Sequence, residues 1–152
     1  MTDCPSIGKF FKPNSVSAML SEHVWEYLDE KLALKAAENC FKYLKTGGYI
    51  RVAVPDGNHS DSLYIEQVKP AGTGAGSDDH KVLYNCDSLV ALFERAGFEV
   101  KLLEWFDKSG VFHAEDWSPN DGMIIRSSRF DSRNKLNPTA YTSLIIDAVK
   151  VK

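Results

Sequence analysis

Residues 31–57, KLALKAAENCFKYLKTGGYIRVAVPDG, constrain the fold more than any other stretch of this chain. Leu34, Ala37, Phe41 and Leu44 recur at three- and four-residue steps with lysines on the opposite side, the period of a helix with one buried stripe. Gly47-Gly48 reads as the helix stop. Ile50, Val52 and Val54 then alternate with Arg51 and Ala53, the period of a strand, and Pro55 with Asp56-Gly57-Asn58 ends it in a turn. A helix feeding a strand through two glycines is the repeating unit of an α/β sheet.

Other segments fit that frame. SVSAML (15–20) reads as a short buried strand, and a long connection over 57–82 carries a short helix near Leu63–Val68. Asp87 is the expected N-cap of the helix SLVALFERA, with Gly97 as its stop. FEVKLLEW (98–105) is a strand followed by the turn DKSG. GMIIRSS (122–128) and SLIIDAVKV (143–151) complete the expected strands. The order predicts an α/β sheet that is parallel at first and antiparallel near its end. No internal repeat or second domain is visible, and 152 residues make about one domain.

Composition narrows the function classes. A hydrophobic fraction of 43% and a charged fraction of 26% belong to a folded globular chain. The net charge of −3 gives no basic face for nucleic acid. No apolar run reaches the roughly 18 residues that cross a bilayer, and MTDCPSIGKFF has no signal-peptide core. Cys4, Cys40 and Cys86 form no CxxC and are expected as reduced thiols in a cytoplasmic protein. His59, His80 and His113 share no metal-like spacing and are expected as separate surface or loop histidines.

PAGTGAGSDD (70–79) poses a sharper question, because Gly72, Gly74 and Gly76 imitate a nucleotide-binding loop. Such a loop leaves a buried strand and leads almost directly into a helix whose N–H groups face the ligand. Here Glu66-Gln67-Val68-Lys69-Pro70 precede it, and the next helix starts about ten residues too late. The expectation is a flexible loop; a nucleotide site built on GTGAG is the weaker alternative.

SEHVWEYLDEKLALKAAENCFKYLKTGGYIRVAVPDG (21–57) resembles the fourth strand end, following helix and fifth strand of class I S-adenosylmethionine-dependent methyltransferases, where "EHxxEHL…LKPGGxLRxxVPD" recurs. Thr46 replaces the usual proline, and Tyr27 stands where that family often has histidine. CDSLVALFERAGFEVKLLEW (86–105) is similar to the next helix and sixth strand, and SLIIDAVKVK (143–152) to the antiparallel last strand. The resemblance implies a partial, three-layer Rossmann-like sheet in the order fourth, fifth, seventh, sixth, as a single truncated domain over 1–152. That family opens with a strand, an acidic residue and a GxGxG loop around the cofactor, and residues 1–14 are too short to hold them.

The resemblance implies a methyltransferase-like protein whose S-adenosylmethionine cradle is missing, inactive alone or completed by a partner chain. The rival is a non-catalytic homodimeric binding or assembly module that keeps the half-fold. Ser21, Glu22 and His23 fall in the loop expected to lie over the cofactor, with Glu22 or His23 as general base; alternatively Ser21 caps the turn and the other two are solvated. Trp25 and Tyr27 either flank a ligand ring or pack in the core. Asp56 points into the cleft or builds its turn. Arg126, Arg129 and Arg133 are candidates for an anionic substrate group, or belong to a solvated loop. A half-sheet would leave the fourth strand as an open edge, so a homodimer or a chain supplying the missing half is expected.

Overall fold

The structure, a computed structural model, describes residues 7–152; Cys4 and the first residues of the expected covering segment lie outside that range. After a short helix α1 (Ile7–Phe10) comes strand β1 (Val16–Glu22), which runs two residues further than expected and so takes Ser21 and Glu22 into the sheet. Helix α2 (Glu30–Tyr43) starts at Asp29, whose carboxylate accepts from the Leu32 N–H at 2.9 Å.

The helix ends four residues before the glycines, and β2 (Leu44–Pro55) begins at once. Leu44 is fully buried, which fixes the chain in extended geometry immediately after α2. Gly47-Gly48 is therefore a bend inside the strand rather than a helix stop. Gly47 takes φ 80°, and a Cβ on Gly48 would stand 2.9 Å from the carbonyl oxygens of Lys45 and Ser17. Buried Lys150 closes the end of α2 instead, donating to the carbonyls of Phe41 (2.8 Å) and Leu44 (3.0 Å).

Helix α3 (Ser62–Val68) forms as expected, and α4 (Cys86–Arg95) is capped by Asn85 rather than Asp87. Asn85 and Ser88 exchange side-chain and backbone hydrogen bonds at 3.0 Å, a reciprocal cap that leaves Asp87 in the first turn. Strand β3 (Glu99–Phe106) turns through Asp107–Gly110 into a short β4 (Phe112–Ala114), which the sequence pattern did not reveal. The last strand is β5 (Ser143–Val149).

The sheet order is β1-β2-β5-β3-β4. β1 and β2 are parallel, while β5 runs antiparallel between β2 and β3. The expected order of four strands and the antiparallel last strand are both present, with β4 added at one edge. β1 forms the other edge, with Leu20 half exposed.

One face of the sheet packs Ile50, Val52, Val54, Leu144 and Ile146 under α2 and α4. The other places Ala53, Leu103 and Ile145 under Trp117, Ile124 and Phe130. The covering there is residues 115–142, irregular apart from two three-ten turns, so the third layer is loop and not helix. GMIIRSS belongs to this layer and is not a strand: Ile124 is buried, but Ile125 and Arg126 are both exposed. Cys86 is a buried free thiol. Among the described residues no helix is long and apolar enough to cross a membrane, and no group of histidines, cysteines and carboxylates could hold a metal ion.

Candidate functional site

A cavity of about 280 Å³ opens at the carboxyl ends of β1 and β2, the edge at which open α/β sheets place ligands. His23, Tyr27, Tyr64, His80, Arg126, Arg133, Tyr141 and Ser143 all line it. β5 is antiparallel to β2, so its first residue, Ser143, opposite Pro55, arrives at that same edge.

His23 is the first residue beyond β1 and has φ 52°, in the left-handed region. Its N–H donates to the Ala53 carbonyl at 2.8 Å, which carries the ring across the end of β2. Nε2 then lies 2.9 Å from Ser143 Oγ, and Nδ1 lies 3.4 Å from Glu26 Oε1. Burial drives the imidazole down to about 3, and the charges of Arg126, His80 and Arg133 push the same way, so the ring is neutral. Glu26 is only 1% exposed, and neither carboxylate oxygen has a hydrogen-bond partner among the described residues. The 3.4 Å approach of His23 is an ion-pair distance but too long for a good hydrogen bond. Burial raises the Glu26 carboxyl to about 7.

The remaining walls are aromatic and cationic. Tyr27 meets the His80 ring edge-on at 4.8 Å. His80 Nδ1 donates to the Val68 carbonyl at 2.7 Å, which fixes that nitrogen as the protonated one. Arg133 is held in a bidentate pair by Asp131, at 2.9 and 2.6 Å, and lies over Tyr141. The Arg126 guanidinium has no partner among the described residues.

Of the expected site residues, His23, Tyr27, Arg126 and Arg133 meet in the cavity, and Ser21, Glu22, Asp56, Arg129 and Trp25 do not. Ser21 is half-buried inside β1 and outside the lining. Glu22 is half-buried and outside the cavity lining: its carboxylate accepts from the N–H groups of Ile125 (3.3 Å) and Arg126 (2.6 Å) and so anchors the arginine's backbone. Asp56 is fully buried, accepting from Asn58 N at 2.9 Å and Phe106 N at 2.7 Å. It builds its turn and ties β2 to β3, which settles its two readings against the cleft; burial raises its carboxyl to about 6. Arg129 stacks on Trp117 at 4.3 Å and donates to the Trp117 carbonyl, away from the cavity. Trp25 is core, tilted against Phe93, whereas Tyr27 is a cavity wall.

Two histidines expected at the surface are buried. His59 stacks on Tyr64 at 4.0 Å and bonds to the Thr139 carbonyl, and His80 is a cavity wall; His113 pairs with Asp107 and stacks on Trp105. The glycine loop is also more ordered than its composition implied. The N–H groups of Gly72, Thr73 and Gly74 donate to the carbonyls of Lys69, Glu66 and Gln67 at 2.8–3.0 Å, closing the end of α3. A Cβ on Gly74 would lie 2.6 Å from the Gln67 oxygen, so glycine is required by packing on the helix end. Those amides are unavailable to a phosphate, yet Gly74 and Ala75 do form one wall of the cavity.

Ser143, Glu26, Tyr64 and Tyr141 escaped the sequence reading. Topology carried the signal for Ser143, because an antiparallel last strand must begin at the carboxyl edge of its neighbours. Glu26 lies three residues after His23, the spacing that brings side chains together in a helical turn.

No protein-family model and no curated protein matches this chain. Solved structures do match it in fold. An S-adenosylmethionine-dependent methyltransferase from Archaeoglobus fulgidus is 18% identical with TM-score 0.56, over 97% of this chain and 64% of that one. One from Thermotoga maritima is 17% identical with TM-score 0.57, over 93% and 59%. One from Methanosarcina mazei is 12% identical with TM-score 0.50, over 94% and 63%. This chain spans about three fifths of the length of these structures. The likeness is one of fold: a five-stranded mixed sheet resembling the Rossmann-like domain of methyltransferases.

Proposed function

We propose that this chain is the acceptor-binding part of a methyltransferase-like domain, and that it depends on a further polypeptide for S-adenosylmethionine. The observation that carries the reading is the cavity: it lies at the carboxyl edge of a sheet strung in the methyltransferase order, with an unpaired guanidinium, Arg126, in its wall. Aromatic rings on two sides and a cation on the third suit a small planar or hydroxylated molecule bearing a carboxylate or phosphate.

The described residues do not fit the whole cofactor. The amides of residues 72–74 are engaged by α3, and Glu22 and Asp56, at the ends of β1 and β2, are occupied by backbone N–H groups rather than open to ribose hydroxyls. A volume of about 280 Å³ is also at the small end for a ligand of that size. Among the described residues no strand pairs with the outer side of β1, and that side is where a completing chain, or a second copy of this one, would add a strand.

Calorimetric titration tests this. The chain alone is expected to give no saturable heat with millimolar S-adenosylmethionine. A chimera joining it to the portion of the Archaeoglobus fulgidus enzyme that it does not cover is expected to bind. One-to-one binding by the chain alone, or none by a folded chimera, overturns the reading.

A further inference from the structure

We propose that Ser143, His23 and Glu26 form a nucleophilic serine site, and that this chain by itself transfers acyl groups from small anionic esters to water. The inference goes beyond the methyltransferase reading and does not rest on it. Its basis is geometric. Ser143 opens β5, His23 follows β1 and Glu26 sits in the three-ten turn Trp25–Tyr27, and the two strands meet over the end of β2, which lies between them. Ser143 Oγ is 2.9 Å from His23 Nε2, and His23 Nδ1 is 3.4 Å from Glu26 Oε1. A serine hydroxyl within hydrogen-bond reach of an imidazole whose other nitrogen faces a carboxyl is the arrangement of an activated serine, whatever the fold or chain order; here the carboxyl stands 3.4 Å off and would have to close on the ring as it becomes charged.

Glu26 is buried with both oxygens unsatisfied, an arrangement native structures rarely keep without a role. His23 holds a left-handed backbone at 52°, sparsely populated by residues other than glycine, and that conformation is what swings its ring onto Ser143. Ser143 and His23 both line the cavity, and Ser143 is only 1% exposed, so an ester carbonyl must reach Oγ from the cavity side.

The step balances without a further reagent. Ser143 Oγ bonds to the carbonyl carbon while its proton passes to His23 Nε2, and the imidazolium Nδ1–H faces Glu26. The imidazolium then protonates the departing alcohol as its C–O bond breaks. Water, deprotonated by His23, attacks the acyl-serine and releases the acid, restoring the serine. Burial is the first thing that weakens His23 as a base; Arg126 from the loop layer, His80 from beyond the glycine loop and Arg133 from the loop layer add to it, against Asp131, and this added part sets the substrate charge. An anionic group bound to the unpaired Arg126 offsets that charge and strengthens the base at the moment of reaction.

Incubation of the whole chain with a fluorophosphonate, followed by peptide mapping, tests the site. One adduct at Ser143 is expected, forming at least about 100-fold more slowly in His23→Gln and not at all in Ser143→Ala. The rate should rise as pH passes about 7 and Glu26 ionises, a rise that Glu26→Gln abolishes. Hydrolysis of 4-nitrophenyl succinate should exceed that of 4-nitrophenyl acetate, and Arg126→Ala should remove the preference. Circular dichroism establishes that each variant is folded. No adduct at Ser143 in folded protein, or an adduct forming equally fast in His23→Gln, overturns the proposal, and neither outcome bears on the S-adenosylmethionine titration.

Discussion

Under α2 and α4 the sheet presents Ile50, Val52, Val54, Leu144 and Ile146, each at most 3% exposed, to Ala33, Ala37, Leu89 and Phe93. Under residues 115–142 the same strands present Arg51, Glu104 and Asp147. Arg51 is 2% exposed, forms a bidentate pair with Asp147 at 2.8 Å, and donates to the carbonyls of Ser118 (2.9 Å) and Gly122 (2.7 Å). Glu104 accepts from Trp117 Nε1 at 3.0 Å, Ser128 N at 2.8 Å and Thr142 Oγ1 at 2.9 Å. The difference follows from the coverings. A helix satisfies its own backbone and asks only for an apolar surface, whereas a loop brings unpaired carbonyls and N–H groups that the sheet must answer. Charged side chains under the loop layer are those answers.

If so, the two faces should fail differently. Phe93→Ala removes a fully buried ring and is expected to lower stability by about 3–5 kcal/mol in urea titration, leaving the exchange protection of residues 115–142 to fall only with global unfolding. Arg51→Met is expected to lose about 3 kcal/mol, because it strands Asp147 and two carbonyls, and to release the loop layer locally before the sheet opens. Adding Asp147→Leu to Arg51→Met should restore about half of that loss. Equal, purely global loss of protection in both single variants would break the contrast between the faces.

The same contrast explains what could be read from the sequence. Everything on the helical face has a period: Leu34, Ala37, Phe41 and Leu44 at helical steps, and Ile50, Val52 and Val54 alternating. The strand order came from a resemblance carried by that region. On the loop-built side there is no period to read. Ile124-Ile125 suggested a strand, but one is buried and the other exposed because the chain follows a turn over Arg51 and Leu20. His23 and Arg126 could be named from their neighbours in sequence. Their meeting with Ser143 could not, since it depends on β1 and β5 ending together across β2. One feature of Asp56 and Glu22 was invisible in the sequence for the same reason: each carboxylate accepts from a backbone N–H of a segment 50 or more residues away.

The cavity lies where the loop layer meets α3 and the glycine loop, and beside it Glu26 is a buried carboxylate with no hydrogen-bond partner among the described residues. Its carboxyl is raised from 4.5 to about 7, so the folded state binds its proton more tightly than the unfolded chain does. Stability from this group is therefore present below about 4.5 and lost as pH rises through about 7. His23, depressed from 6.5 to about 3, runs the other way: its contribution is present above 6.5 and lost as pH falls. Comparing wild type with Glu26→Gln isolates the first term. The variant should match wild type near pH 4 and exceed it by roughly 3 kcal/mol at pH 8, measured by urea titration at both pH values. A constant difference across that range would mean that Glu26 has found a partner.

The smallest effect is expected in the glycine loop, where the contrast can be tested within one wall. Gly76 has φ 83°, and a Cβ there would stand 2.9 Å from the Tyr27 hydroxyl. Tyr27 is the far end of a side chain 40% exposed and can yield, so Gly76→Ala should cost only about 1 kcal/mol, nearly all of it backbone strain. At Gly74 the obstacle is the Gln67 carbonyl, part of the end of α3, which cannot yield without opening the hydrogen bonds that close the helix. Gly74→Ala should therefore lose more than Gly76→Ala by thermal denaturation, although its own backbone dihedral is unstrained. The reverse order would mean that left-handed strain, and not the capping of α3, is what makes this loop glycine-rich.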